Sequence, residues 1–149
     1  MKIAELIPVL QVAIGPVILI SGVGLLLLSM TNRLGRAIDR ARGMVESHHR
    51  APTDERPRTE AQLDILWKRA LLLRTAITLA SISVLLAAVL IIVLFLTALL
   101  KVELAIIIVA IFVACMGAVI ASLVFFIRDI DLSLRALSLE LGHKHPEID

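Results

Sequence analysis

Residues 31–45, TNRLGRAIDRARGMV, directly follow the uncharged run GPVILISGVGLLLLSM at residues 15–30. The basic stretch keeps apolar residues at helical spacing, which predicts that a membrane-spanning helix continues beyond the apolar run. Two further runs, 71–100 and 104–127, each exceed the roughly 20 residues that cross about 30 Å of hydrocarbon. The sequence therefore predicts an all-α membrane protein with three transmembrane helices.

Composition supports a single membrane domain. Hydrophobic residues make up 59% of the 149 residues, which excludes a soluble domain of ordinary composition. Three spans and their extensions use nearly the whole chain, so we expect one domain over residues 1–149. Its predicted parts are spans at about 8–31, 71–100 and 104–127, a helical hairpin at 32–70 and a C-terminal helix at 128–142.

Basic residues are concentrated between the first two spans. The turn between spans two and three holds only Lys101 and Glu103, whereas ten basic residues lie between residues 32 and 75: Arg33, Arg36, Arg40, Arg42, Arg50, Arg56, Arg58, Lys68, Arg69 and Arg74. This bias predicts a cytoplasmic hairpin, with the N-terminus outside and the C-terminus inside. The hairpin carries no nucleic-acid recognition motif and no interleaved aromatic residues, so we predict no nucleic-acid partner.

Helix signals predict that all three helices extend about 20–25 Å into the cytoplasm as a stalk. Pro8 predicts the first helix start, Thr59 with Gln62 predicts the second, and Gly142 predicts the end of the third. The spacing of Leu34, Ile38, Ala41 and Val45 predicts a narrow apolar seam on the first helix. The alternative is a last helix that lies on the membrane surface, but its polar face of Asp129, Asp131 and Glu140 suits an anionic membrane poorly.

The stretch LLLLSMTNRLGRAIDRARGM, preceded by GPVILISGVG, resembles the bacterial domain of unknown function 2721 family. The resemblance covers most of the chain, and its most specific part is NRLGRAIDRAR at residues 32–42. It implies a small three-span bacterial protein, hence a location in the inner membrane. It implies no reaction and no functional residues.

One face of the first helix collects small and polar residues. Steps of four and three link its members: Gln11, Gly15, Ile18, Gly22, Leu25, Ser29, Asn32, Arg36, Asp39 and Gly43. An amide that faces lipid is costly, so this face should turn towards protein or water. In one hypothesis, it lines a pore in an oligomer, with rings of Gln11, Ser29 and Asn32, Glu5 at the outer mouth and Arg36 at the inner mouth. In the other hypothesis, the small residues allow close helix packing.

Other polar residues suggest structural roles. Cys115 and the small stripe of Ala110, Ala114, Gly117, Ala118 and Ala121 on the third span predict helix packing. Hydroxyls on the second span, at Thr75, Thr78, Ser81 and Ser83, should bond to carbonyls of their own helix. In the stalk, Asp39, Arg40 and Arg42 form ion pairs or a solvated polar face.

Residues 8–30, 75–100 and 104–127 contain no Asp, Glu, Lys, Arg or His, which disfavours proton-coupled transport and intramembrane hydrolysis. We therefore predict no enzymatic activity and no cofactor. The pairs His48–His49 and His143–His145 are weak candidates for a metal or pH-sensing site, and we predict no metal.

The leading functional hypothesis is a homo-oligomer that conducts ions passively along an axis lined by the first helix. The alternative is a non-conducting scaffold or accessory subunit of a membrane complex, whose axis is plugged by Ile18 and Leu25 or by lipid. The predicted partners are other copies of the chain, membrane lipids and, for a channel, ions.

Overall fold

The computed structural model describes the backbone of residues 3–50, 56–101 and 103–142, and the side chains of residues 7–46, 63–101 and 103–134. The described chain forms three helices: α1 (Ile3–Arg50), α2 (Arg56–Leu100) and α3 (Ala105–Gly142). All three are long and apolar enough to cross a membrane. These helices confirm the predicted all-α fold with three helices that are compatible with membrane spans.

Two helix starts lie earlier than the sequence signals predicted. Helix α1 begins at Ile3, so Pro8 lies inside it, and α2 begins at Arg56 rather than near Thr59. Pro57 is the second residue of α2, where a missing N–H costs no hydrogen bond. Helix α3 extends to Gly142, the last described residue, so its predicted end there stays a prediction. Lys101, directly after α2, has a left-handed backbone with φ of 52°, which breaks the helical path before α3.

The chain divides into two compact units, and each contains parts of all three helices. The first unit comprises Met1–Ser29 and Ile77–Ser122. The second comprises Met30–Ala76 and Leu123–Asp149.

Small residues dominate the packing of the first unit. Its buried residues are Ala13 and Val23 of α1, Ala80, Ser83, Ala87 and Leu90 of α2, and Cys115 and Ser122 of α3. Cys115 is 1% exposed, so its predicted packing role is confirmed. Its Sγ lies 3.3 Å from the Ser83 carbonyl oxygen and 3.5 Å from Ser83 Oγ, which joins α2 to α3.

The second unit has a different interior. Its buried residues are Met30 and Ala37 of α1, Leu66, Leu73 and Ala76 of α2, and Asp129 of α3. The predicted α1 seam is therefore wrong in part, because Ile38 and Val45 are exposed while Ala37 is buried. Met30 and Ala37 are seven residues apart and share a stripe with the half-buried seam residues Leu34 and Ala41, so α1 keeps a heptad spacing with its inner side rotated slightly from the predicted seam.

Most of the apolar surface points away from the chain. Only 11%, 17% and 11% of the most apolar windows of the three helices are buried by the rest of the described chain. Such surfaces require lipid or another protein around them.

Candidate functional site

The predicted face of α1 is exposed in both units. In the first unit Gln11, Gly15, Gly22 and Ser29 are exposed, and in the second unit Asn32 and Arg36 are exposed. A Cβ atom added at Gly15 or Gly22 would have no heavy atom within 4 Å. The small residues of this face therefore do not serve packing between helices of one chain. Packing against a second copy and lining of a water path both remain predictions.

The small stripe of α3 is likewise turned outward. Ala110, Ala114 and Gly117 are exposed, and Ala118 and Ala121 are half-buried. Helix α3 instead buries Cys115 and Ser122 against the rest of the first unit. The three exposed members make no buried contact within the described chain, so their predicted role in helix packing requires a second chain and stays a prediction.

Of the four α2 hydroxyl groups with a predicted bond, two follow the prediction and Ser83 does not, while the bond of Thr78 stays a prediction. Thr75 Oγ1 donates to the Leu71 carbonyl and Ser81 Oγ to the Ile77 carbonyl, both at 2.9 Å. Ser83 is the exception, because its side chain is buried against Cys115. These contacts satisfy polar groups within apolar helices and indicate no chemistry.

Several predicted site residues lie beyond the described side chains: Glu5, His48, His49, His143 and His145. Asp39, Arg40 and Arg42 are exposed, and their predicted ion pairs stay a prediction. The side chains that the structure describes include no group of three or more His, Cys, Asp or Glu that could hold a metal ion.

A buried ion cluster in the second unit was not predicted. Asp129 of α3 is 0% exposed, and its carboxylate lies between two arginines from different helices. Arg69 Nε of α2 donates to Asp129 Oδ1 at 3.4 Å, and Arg33 Nη2 of α1 lies 3.6 Å from Asp129 Oδ2. The interpretation of Asp129 as part of a polar outer face is therefore wrong. Each helix contributes one charged residue, so the cluster joins all three helices.

The arginines of the cluster remain partly accessible. The side chains of Arg33 and Arg69 are 26% and 20% exposed. The guanidinium carbon of Arg33 lies 5.2 Å from the centre of the Phe126 ring, which is a cation–π distance. Because two guanidinium groups surround one carboxylate, the cluster has an excess of one positive charge.

The cluster does not complete every hydrogen bond. Asp129 Oδ2 accepts none from the described residues, since the Arg33 contact is an ion pair at a longer distance. A buried carboxylate is tolerable only when opposite charges offset its desolvation. Both arginines already offset this carboxylate, so the arrangement is suited to holding helices together rather than to proton transfer.

A heptad signal could have located Asp129. Cys115 and Ser122 precede it at intervals of seven, and all three are at most 2% exposed. The larger apolar residues of this segment are a poorer guide, since Leu134 is 61% exposed. Small or polar residues at seven-residue spacing mark the inner side of α3 better than its large apolar residues do.

Comparison with known families agrees with the fold. A family model described as "Protein of unknown function (DUF2721)" matches residues 13–139. The matched range contains nearly all of α3, and of α1 it lacks only the N-terminal part. The chain belongs to this family. The membership confirms the predicted resemblance, and the three apolar helices fit a small three-span member of DUF2721. Searches of curated proteins and of solved structures find no match to the chain.

Proposed function

We propose that this DUF2721 protein forms a homo-oligomer in the bacterial inner membrane, in which the small and polar face of α1 lines a shared axis that conducts ions passively. The observation that carries the proposal is the exposure of every described member of that face. Gln11 is the most telling, because a primary amide facing lipid would leave its hydrogen-bonding groups unsatisfied. A second copy or a hydrated axis would satisfy them.

One side of α1 packs inside the chain, and the side with the small and polar residues is exposed. Ala13 and Val23 are buried in the first unit, and Met30 and Ala37 are buried in the second. The face with Gln11 and Gly22 is not used for this packing, so it is free to meet other subunits without disturbing the fold. Close approach at Gly22 is sterically open, because nothing in the chain lies within 4 Å of its Cβ position.

Passive conduction fits the distribution of charge better than coupled transport does. Residues 8–30, 75–100 and 104–127 contain no ionisable acid or base other than Cys115, which is buried against Ser83. Asp129 lies beyond them and is held by two arginines. A proton relay would need titratable groups along the path, so neither coupled transport nor catalysis is part of the proposal. The arginines between residues 32 and 74 favour a cytoplasmic location for that segment.

A non-conducting scaffold is the second candidate, and a specific observation favours it. Ile18 and Leu25 lie on the same face of α1 and are 66% and 72% exposed. Around a shared axis, rings of these side chains would close the path by excluding water. The two candidates share the oligomer and differ in whether the axis carries ions.

Gly22→Leu tests both the oligomer and the axis, and Gly24→Leu is its matched control. Both glycines are exposed, have an open Cβ position and lie on the same helix, but Gly24 points away from the proposed face. We expect Gly22→Leu to change the subunit count in native mass spectrometry and to abolish ion flux into liposomes, with Gly24→Leu like the wild type. A monomeric wild type would contradict the oligomer. An intact oligomer without flux would replace the channel with the scaffold.

A further inference from the structure

Arginines gather within a layer about 12 Å deep in the second unit. We define the arginine belt as five residues: Arg33, Arg36, Arg69, Arg74 and Arg128. Contacts with Asp129 place Arg33 and Arg69 at the same level as that residue. Arg36 lies about 4.5 Å from Arg33 along α1, away from the apolar run of that helix. Arg74 lies about 7.5 Å from Arg69 along α2, towards the apolar run of that helix, and Arg128 directly precedes Asp129 on α3.

The belt is strongly positive. Over residues 33–36, 69–74 and 128–131, five arginines face two acids, Asp129 and Asp131. Asp129 is fully buried between Arg33 and Arg69, so its charge is already shared by two of the five. Arg36, Arg74 and Arg128 are exposed. All three helices therefore present positive charge to the surroundings of the second unit.

The belt begins where the uncharged runs end. The run on α1 ends at Met30, the run on α2 starts at Thr75 and the run on α3 ends at Ile127. The α2 run, residues 75–100, covers about 39 Å at 1.5 Å per residue, enough to cross the hydrocarbon region. Groups just beyond such a run lie at the level of phospholipid headgroups.

We propose that the arginine belt binds the phosphate groups of anionic phospholipids. Lipid is favoured over a protein partner because headgroups necessarily surround a membrane protein at this level, and guanidinium groups bind phosphate with two hydrogen bonds. Asp129 acts as a positioning residue: it fixes Arg33 and Arg69 at the headgroup level and leaves part of each accessible. The proposal does not depend on the subunit number or on conduction.

Arg128→Gln tests the belt without disturbing the ion cluster, since Arg128 is exposed and lies outside the α1 face. Native mass spectrometry would count lipids retained by the full-length protein from nanodiscs of phosphatidylglycerol and phosphatidylethanolamine with identical chains. We expect the wild type to retain mainly phosphatidylglycerol. Arg128→Gln should lower that preference about fivefold, the effect of one basic residue near an anionic surface.

Arg128→Lys should keep most of the preference. Arg42→Gln is the matched control, because Arg42 is exposed but lies twelve residues beyond Met30 on α1, about 18 Å from the end of the apolar run. Excess glycerol 3-phosphate separates the two sources of phosphate. If it displaced the lipid, the belt would be a site for free phosphate compounds and the lipid proposal would fail. Equal losses in Arg128→Gln and Arg42→Gln, or no preference in the wild type, would overturn the proposal.

Discussion

Asp129 is the residue on which the second unit depends most. Its carboxylate is fully buried, and Arg33 and Arg69 lie 3.6 Å and 3.4 Å away. Desolvation of the carboxylate opposes folding, and the two guanidinium groups offset this cost. A triad of this kind contributes little compared with an apolar core, but it makes any single deletion costly.

Asp129→Ala should lower the free energy of unfolding by about 3–5 kcal/mol, because it leaves two partly buried arginines without their shared counter-charge. The measurement is equilibrium unfolding in mixed micelles, followed by circular dichroism. Asp131→Ala is the control, since Asp131 is an exposed carboxylate on the same helix. Asp129→Asn should fall between the two, because its carbonyl oxygen still accepts from Arg69. Equal stability of the Asp129→Ala and Asp131→Ala proteins would show that the cluster does not hold the helices.

At the scale of single residues, the sequence predicted burial better for neutral side chains than for charged ones. Cys115 and the hydroxyls of Thr75 and Ser81 behave as predicted from their types. Asp129 was missed because its burial depends on Arg33 and Arg69, which are far away in sequence and close only after folding. Charge pattern along one helix cannot reveal a partner on another.

At the scale of the helices, the existence and type of each element follow from the length of its apolar run. The boundaries are less certain where two signals compete. Near α2, the Thr59 capping pattern competes with Pro57, and the described helix already includes Pro57, which a first turn accommodates. Which side of a helix packs inward could not be predicted from small residues alone, since small stripes serve contacts within and between chains equally well.

Helix α2 packs through small residues on its inner side. Ala76, Ala80, Ser83 and Ala87 are each at most 2% exposed. Close packing of this kind tolerates little added volume. The exposed Ala114 of α3 has no such constraint within the chain.

Ala87→Leu should therefore lower the free energy of unfolding by about 1–3 kcal/mol through overpacking, whereas Ala114→Leu should change it by less than about 0.5 kcal/mol. The same mixed-micelle unfolding experiment measures both, and each variant adds the same side-chain volume. The assignment of inner and outer sides would be wrong if Ala114→Leu were the more destabilising of the two in a monomeric preparation. Destabilisation by Ala114→Leu only in the oligomer would instead place that position at a contact between copies.

At the scale of the whole molecule, each of the two units is stabilised internally by a different kind of contact. The first unit relies on small residues and weak thiol and hydroxyl contacts such as Cys115 to Ser83. The second adds a buried ion cluster to its apolar core. Its surface carries the arginine belt, whose exposed charges act on the surroundings rather than on the fold.

Salt should distinguish the buried ion cluster, which stabilises the fold, from the exposed arginine belt, which acts on the surroundings. Raising ionic strength from about 0.1 M to 1 M shortens the screening length from about 10 Å to about 3 Å, which weakens exposed charges far more than buried ones. We expect the preference for phosphatidylglycerol over phosphatidylethanolamine to fall steeply over this range, since Arg36 and Arg128 are exposed.

Thermal unfolding in a non-ionic detergent should respond differently. The difference in midpoint between wild type and Asp129→Ala should stay nearly constant across the same range, because the Asp129 carboxylate is inaccessible to solvent ions. If salt removed that difference, the carboxylate would be reached by water and the cluster would belong with the exposed charges. If salt left the lipid preference unchanged, contacts other than charge would retain the lipid, and the belt would lose its electrostatic basis.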